Sequence, residues 1–252
     1  TEFMRWDPIT QRYEFHDTPN ETGNFSTSIF SLGRSFKDKG NDVESELFKD
    51  FIRTRQDYAR ELSSKNPNSN GEYQYYDISG KLRTGFDGYS ETQQDVLIGT
   101  FYETYSGKKI KNYSTRNMFP GFPLPNWTVT WDGLGKLKVF KKMFRGITLR
   151  HSYRSTYTVG GYSNNLIYGE KDGAQYNRSP IQNPIISGTQ LTSNFNSYYN
   201  VTSVVISEAF APLIKIDLQF NKPGWQGNFE IKRDKTVNLN LTGPQIIETK
   251  GQ

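Results

Sequence analysis

The sequence predicts an all-β fold of antiparallel strands, a segment of a transmembrane β-barrel carrying two short amphipathic helices in the lumen or the periplasm. Three observations lead there. Of the 252 residues only 34% are hydrophobic, yet 15% are aromatic, with 16 Tyr and 17 Phe. A disordered chain lacks such aromatics, whereas a sheet with one wet face and aromatic girdles needs them. No apolar run reaches the roughly 18 residues of a membrane helix; a barrel strand needs only about 9–11 residues with every second one apolar. Strand after strand with that alternation follows residue 126.

Residues 1–40 read as loop and short strands, with Phe25, Thr27 and Ile29 on one face of a β-prone stretch. Residues 41–107 change character. Val43, Leu47, Phe51, Tyr58 and Leu62 recur at spacings of four and seven, and Phe48 and Ile52 widen the stripe. This is an amphipathic helix over 41–62, capped by Asn41 or Asp42. Glu72 to Phe86 suits a hairpin, with Tyr73 and Tyr75 alternating against polar neighbours. A second helix is expected over 91–106. Ser90-Glu91-Thr92-Gln93 matches a capping box, and Gly107 stops the helix. Both helices are expected to carry charged outer sides and so to avoid lipid.

Residues 108–252 read as barrel wall. Phe119 to Pro125 holds three prolines and cannot be helical; it is either a rigid connection or a lining of the pore or gate. Trp127, Val129 and Trp131 form a short strand. Lys136 to Arg145 is the one dense basic run, either a solvated periplasmic turn or a phospholipid-headgroup contact. Ile147, Leu149, Tyr153, Tyr157 and Val159 share one parity, and Arg150 and Arg154 the other. A long loop follows at 164–197. Strands are then expected at 199–206, at Ile214 to Phe220, at Trp225 to Lys232 and from Val237, with turns at Lys222-Pro223-Gly224 and Arg233-Asp234-Lys235.

Soluble antiparallel sheets alternate in the same way. The 147–159 strand exceeds the usual five or six residues, and its arginines keep to one parity. On a lipid face each would cost roughly 2–4 kcal/mol at the midplane. Trp127, Trp131, Tyr153, Tyr157, Phe220 and Trp225 fall near expected strand ends, as girdle residues do. Arg150, Arg154, Lys215, Asp217, Glu230 and Lys232 are therefore expected to line the lumen. Trp127, Trp131, Ile147, Leu149, Ile214, Ile216, Leu218 and Leu239 are expected to face lipid, girdle or neighbouring wall. The rival is a soluble β-sandwich that grips carbohydrate with Tyr and Trp.

Several contiguous strings resemble a known family. Gly121-Phe122-Pro123-Leu124-Pro125-Asn126-Trp127-Thr128-Val129-Thr130-Trp131-Asp132-Gly133-Leu134 is one. Ile147-Thr148-Leu149-Arg150-His151-Ser152-Tyr153-Arg154-Ser155-Thr156-Tyr157 and Arg34 to Glu44 are others. They are similar to the C-terminal part of the SprA (Sov) family, the outer-membrane translocon of the type IX secretion system of Bacteroidetes. The resemblance runs from about Ser28 to the end. It implies a single-chain barrel at the top of the known size range, roughly 36 strands, wide enough for folded cargo. It further implies as partners a PorV-like outer-membrane protein, a periplasmic plug protein, cargo with C-terminal secretion domains, the lipid bilayer and the rest of the same barrel polypeptide. Family members are far longer. The chain opens at Thr1 to Trp6 like the middle of a strand and ends at Gly251-Gln252, so a fragment is expected.

Chemistry is sparse. There is no cysteine, and the only histidines are His16 and His151, so no metal centre or cofactor is expected. His151 reads as a wall residue. Asp217 and Glu230 could be mistaken for a glycosidase pair, but Lys215 and Lys232 share their face and favour salt bridges. The net charge of +5 is scattered, so nucleic acid is not an expected partner. No nucleotide motif is present. The chain is expected not to be an enzyme.

Overall fold

The computed structural model describes residues 3–7, 11–16, 21–32, 34–36, 45–77, 79–114, 116–165, 168, 178–179, 194–243 and 245–251. In chain order these form β1 (Phe3–Asp7), β2 (Arg12–His16), β3 (Thr22–Ser28), α1 (Glu46–Lys65), β4 (Glu72–Tyr76), β5 (Leu82–Phe86) and α2 (Gln94–Ser106). There follow β6 (Trp127–Trp131), β7 (Phe144–Asn164), β8 (Arg178–Ser179), β9 (Asn194–Phe195), β10 (Tyr199–Phe220), β11 (Gln226–Asn240) and β12 (Gln245–Gly251). The fold is mainly antiparallel β with two helices.

The main sheet has six strands in the order β12-β11-β10-β7-β3, and β6 pairs β7 on the same edge as β3. The sheet is open. β10 spans 22 residues, β7 21 and β11 15, far beyond the common length of about five or six. Two expected breaks are therefore absent. Tyr199 to Phe220 is one strand; around Pro212, which has no amide to donate, the register shifts between Phe210 and Ile214 but pairing resumes. Arg233, Asp234 and Lys235 do not turn the chain. They pair with Phe210, Ala209 and Glu208 in the middle of β11.

Helix α1 forms where the spacing predicts, and buries Leu47, Phe51, Tyr58, Ala59 and Leu62. Ser45 caps it, its hydroxyl accepting from Phe48 N at 3.2 Å. Asn41, Asp42 and Val43, and the family-like stretch 37–44, lie outside the described residues. Phe48 and Ile52 do not widen the buried stripe: both are about two-fifths exposed. The outer face carries the i,i+3 and i,i+4 pairs Arg53–Asp50, Arg60–Asp57 and Lys65–Glu61, each worth a few tenths of a kcal/mol.

Helix α2 differs from the expectation in two ways. Its N-cap is Gln93, whose side-chain oxygen accepts from Asp95 N and Val96 N; Ser90, the expected cap, instead bonds Asn194 and Thr92. Nor is its far side charged. Eleven of its 13 residues are buried, because α1 covers one side and the sheet another. Each fully buried Val, Ile or Phe there contributes about 1.5–3 kcal/mol. Gly107 ends the helix in the left-handed conformation at φ 76°, which favours glycine.

The helices lie on one face of the sheet, over its upper half. Tyr102 of α2 meets Tyr157 of β7 edge to face at 5.0 Å, and the same core holds Val159, Val204, Ile206, Val237 and Leu239. The expected β4–β5 hairpin forms. Most of the 164–197 loop lies outside the described residues, as does the side chain of His16.

Candidate functional site

The chain's distinctive surface is the lower half of the main sheet, below the helices. Register assigns every side chain to a face. Arg150 stands opposite Lys215, which stands opposite Glu230. Asp217 lies between Thr148 and Asn228. All point away from the helical face. Lys215 Nζ lies 3.7 Å from Glu230 Oε2, and Lys232 Nζ 3.4 Å from Glu230 Oε1. Pairs this exposed contribute about 0–1 kcal/mol each, but they leave the face hydrophilic and nearly charge-balanced. Arg154, opposite Ala209, is exposed higher on the same face. Glu230 is held between two lysines, as the shared face of Lys215, Glu230 and Lys232 predicts.

The other face carries an apolar row across four strands: Trp131 opposite Leu149, Leu149 opposite Ile216, Ile216 opposite Phe229. Ile147 and Leu218 are paired just below it, and Ile214 with Ile231 just above. Phe229 is 54% exposed, and Trp131, Ile214 and Ile231 between 41% and 49%. Such a contiguous uncovered apolar surface marks an interaction site on a protein.

Not every expected apolar-face residue lies in this exposed zone. Leu239 is buried under the helices at 2% exposure. Ile147 is buried as well, where Gly135 lies against its backbone. Tyr153 and Tyr157 are not girdle residues: both are wholly buried. Tyr157 packs on Tyr102. The Tyr153 ring stacks on Trp127 at 4.5 Å, and its hydroxyl donates to Glu208 Oε1 at 2.8 Å while accepting from the amides of Ser31 and Leu32. Helix α2 covers Tyr157, while Phe30, Trp127 and Phe210 surround Tyr153. Trp127 therefore joins an inner aromatic cluster with Phe30 and His151. His151 donates from Nδ1 to the Leu213 carbonyl at 2.7 Å, a structural role.

The Pro123-Leu124-Pro125-Asn126 segment splices two edge strands. β3 pairs the upper part of β7 and β6 the lower part. Between them Leu124 N donates to Ser28 O at 3.0 Å, and Asn126 Oδ1 accepts from Ser155 N at 2.9 Å. Ile29 N donates to Ser155 O. Thus Ser155, between Arg154 and Thr156, has both backbone groups satisfied on the side where neither β3 nor β6 reaches it.

A buried charged network was missed in the sequence. Glu208 and Lys235 are cross-strand partners on the helical face, at 0% and 1% exposure. Lys235 Nζ reaches Glu248 Oε2 at 2.9 Å, and Tyr105 of α2 donates to Glu248 Oε1 at 3.1 Å. The readable signal was a single charge of each sign on the apolar parity of two strands, Glu208 two residues after Ile206 and Lys235 two before Val237.

Among the described residues no group of three His, Asp or Glu could hold a metal ion. Among the described residues no helix is long and apolar enough to cross a membrane, which says nothing of strands. Compared with known protein families and with curated proteins, the chain matches none.

Proposed function

We propose that this chain is wall of an outer-membrane protein-conducting barrel, the translocon of the type IX secretion system. One observation carries the reading: in the lower sheet the apolar row Trp131–Leu149–Ile216–Phe229 and the charged row Arg150–Lys215–Glu230 occupy opposite faces of an open sheet. Phe210 to Phe220 of β10 supplies about the 9–11 residues a membrane strand needs. The outer edge of β11 below Asp234 has no strand partner among the described residues, and lipid tolerates no open edge. Further strands of the same barrel polypeptide would complete it.

In this reading the charged row lines a wet lumen and the apolar row meets lipid. The helices sit on the apolar-parity face, so they lie beyond the lipid band and outside the wall rather than in the lumen. They share an end with the 164–197 loop, and long loops of such barrels are extracellular. The resemblance supplies the partners: a PorV-like protein, a periplasmic plug and cargo with C-terminal secretion domains. Transport through the lumen is passive with respect to this segment. A carbohydrate-binding β-sandwich fits less well, because a sandwich requires a second sheet face to face and here helices take that place over the upper half of the sheet.

The cysteine-free chain permits clean single-site labels. Fluorophores at Leu149→Cys, Ile216→Cys and Phe229→Cys should be quenched by a lipid-dissolved quencher, and those at Arg150→Cys, Asp217→Cys and Asn228→Cys by a water-soluble one. Quenching with the opposite parity, or no lipid quenching at either, overturns the reading.

A further inference from the structure

The connection from β6 to β7, at the sheet end away from the helices, interleaves cations with large apolar side chains from Lys136 to Arg145. A merely solvated turn would send its lysines outward and its apolar residues inward. This one exposes both. Val139 is 79% exposed, Met143 60% and Leu137 50%, beside exposed Lys138, Lys141 and Lys142. Lys136, Lys141 and Arg145 also line an open pocket of about 600 Å³, together with Phe144 and Ile147. Asp132 is the single acid in its lining and lies 3.6 Å from Lys136.

The loop is held in place. Asn221, in the β10–β11 turn, donates its amide to Met143 O at 3.0 Å and its side chain to Lys141 O at 2.9 Å. Phe144 packs on Phe220 at 4.8 Å. In the same turn Lys222 lies over the ring of Trp225, which is 64% exposed. The edge of the apolar row is thus rimmed by cations and an amphipathic indole, the arrangement found where acyl chains give way to headgroups.

We propose that the Lys136–Arg145 loop docks on an anionic phospholipid surface, with its lysines on lipid phosphates and Leu137, Val139 and Met143 among the acyl chains. Free phosphate would use the cations and leave the three apolar side chains in water. A nucleic acid would call for exposed aromatics to stack bases, whereas these are aliphatic. The loop's place at one rim of a barrel wall rests on the reading above; its membrane-surface chemistry does not.

The test places an environment-sensitive fluorophore at Val139→Cys in the full chain. Vesicles of phosphatidylcholine alone are compared with vesicles containing an equal part of phosphatidylglycerol. The emission should shift to the blue with the mixed vesicles only, and the shift should weaken at high salt. Each lysine near an anionic surface contributes about fivefold in partitioning, so Lys138→Gln/Lys141→Gln/Lys142→Gln should lower the lipid dependence about a hundredfold. Inorganic phosphate alone should give no shift. An unchanged emission, an equal shift with neutral vesicles, a shift with phosphate alone or indifference to the triple substitution overturns the proposal. Alkaline carbonate extraction separates the two readings. Release of the protein, with the lipid-dependent shift intact, overturns the wall but not the docking loop. Retention with an indifferent probe overturns the docking loop but not the wall.

Discussion

The ammonium of Lys235 lies 2.9 Å from Glu248 across the β11–β12 boundary, with the Lys235 side chain wholly buried. Its cross-strand partner Glu208 is buried too, and accepts from the Tyr153 hydroxyl at 2.8 Å. A buried ion pair adds little over an apolar replacement of both partners, but removing one partner costs about 3–5 kcal/mol. Lys235→Ala should therefore lower the urea midpoint severely. Lys235→Met with Glu208→Gln and Glu248→Gln should recover much of the loss. A Lys235→Ala chain as stable as the parent would show that the network does not hold the helices to the sheet.

Gly99 sets the distance between the helices. A Cβ there would fall 2.5 Å from Tyr58 Cε1 and 2.8 Å from Tyr113 Cε1, and both rings are fixed in the core. Gly99→Ala ordinarily gains helix propensity of about 1 kcal/mol. Here overpacking of about 1–3 kcal/mol should outweigh it, giving a lower melting temperature. Gly99→Ala in a Tyr58→Phe background should be no better, since the clash is with the ring and not the hydroxyl.

The tyrosines of this core make alkali destabilising. Burial pushes Tyr58 and Tyr113 well above the ordinary value of 10.0, with Glu103 adding to the effect on Tyr58 and Asp95 on Tyr113. The folded state keeps both neutral. Their contribution is fully present below pH 10.0, and declines as the pH rises above it, because the unfolded chain ionises first. The slope is about 1.4 kcal/mol per pH unit for each group. Helical circular dichroism should collapse cooperatively above that pH, together with tyrosinate absorbance. Tyr58→Phe should move the collapse to higher pH; tyrosinate absorbance appearing while the helix signal stays constant would contradict this.

These residues also separate what the sequence discloses from what it conceals. The α1 stripe at Leu47, Phe51, Tyr58 and Leu62, the stop at Gly107 and the two parities of β7 depend on local periodicity, and all are visible without coordinates. The Arg233-Asp234-Lys235 run resembles a turn because three charges in succession usually need water. Only Glu248 on the neighbouring β12, at 2.9 Å from the ammonium, together with the opposing Glu208 in a strand that continues past Pro212, makes Lys235 acceptable inside. Likewise Ser90 is a better N-cap by type than Gln93, but Asn194, over a hundred positions away, engages it. The same holds for the face assignment. Alternation shows that Leu239, Tyr157 and Ile216 share a face, but not that helices cover the first two and leave the third half open.

Gln93 joins local and distant structure. Its Oε1 caps α2, and its Nε2 donates to Phe195 O and Ser197 Oγ at 3.2 Å each. Gln93→Ala removes a cap worth about 1 kcal/mol and leaves buried acceptors short of a donor, about 1–3 kcal/mol more. The 194–197 segment should then lose amide-exchange protection along with the first turn of α2. Loss at the helix turn alone would mean that the segment is held by its other bonds.

Ile216 and Asp217 are neighbours with opposite faces, and their arginine variants test the wall most directly. Ile216 lies in the apolar row between Leu149 and Phe229, and Asp217 in the charged row. In lipid, Ile216→Arg should cost roughly 2–4 kcal/mol near the midplane and less toward an interface, lowering assembly into membranes. Asp217→Arg should assemble normally and change only the charge of the lumen. In a soluble protein the order differs: Ile216 is already partly exposed, so its arginine would reach water at little cost. Membrane-fractionated yield and heat-induced mobility of the two variants decide between these outcomes. A strong defect for Ile216→Arg with none for Asp217→Arg is expected of a barrel wall, while equal yields from both would remove lipid from the apolar row.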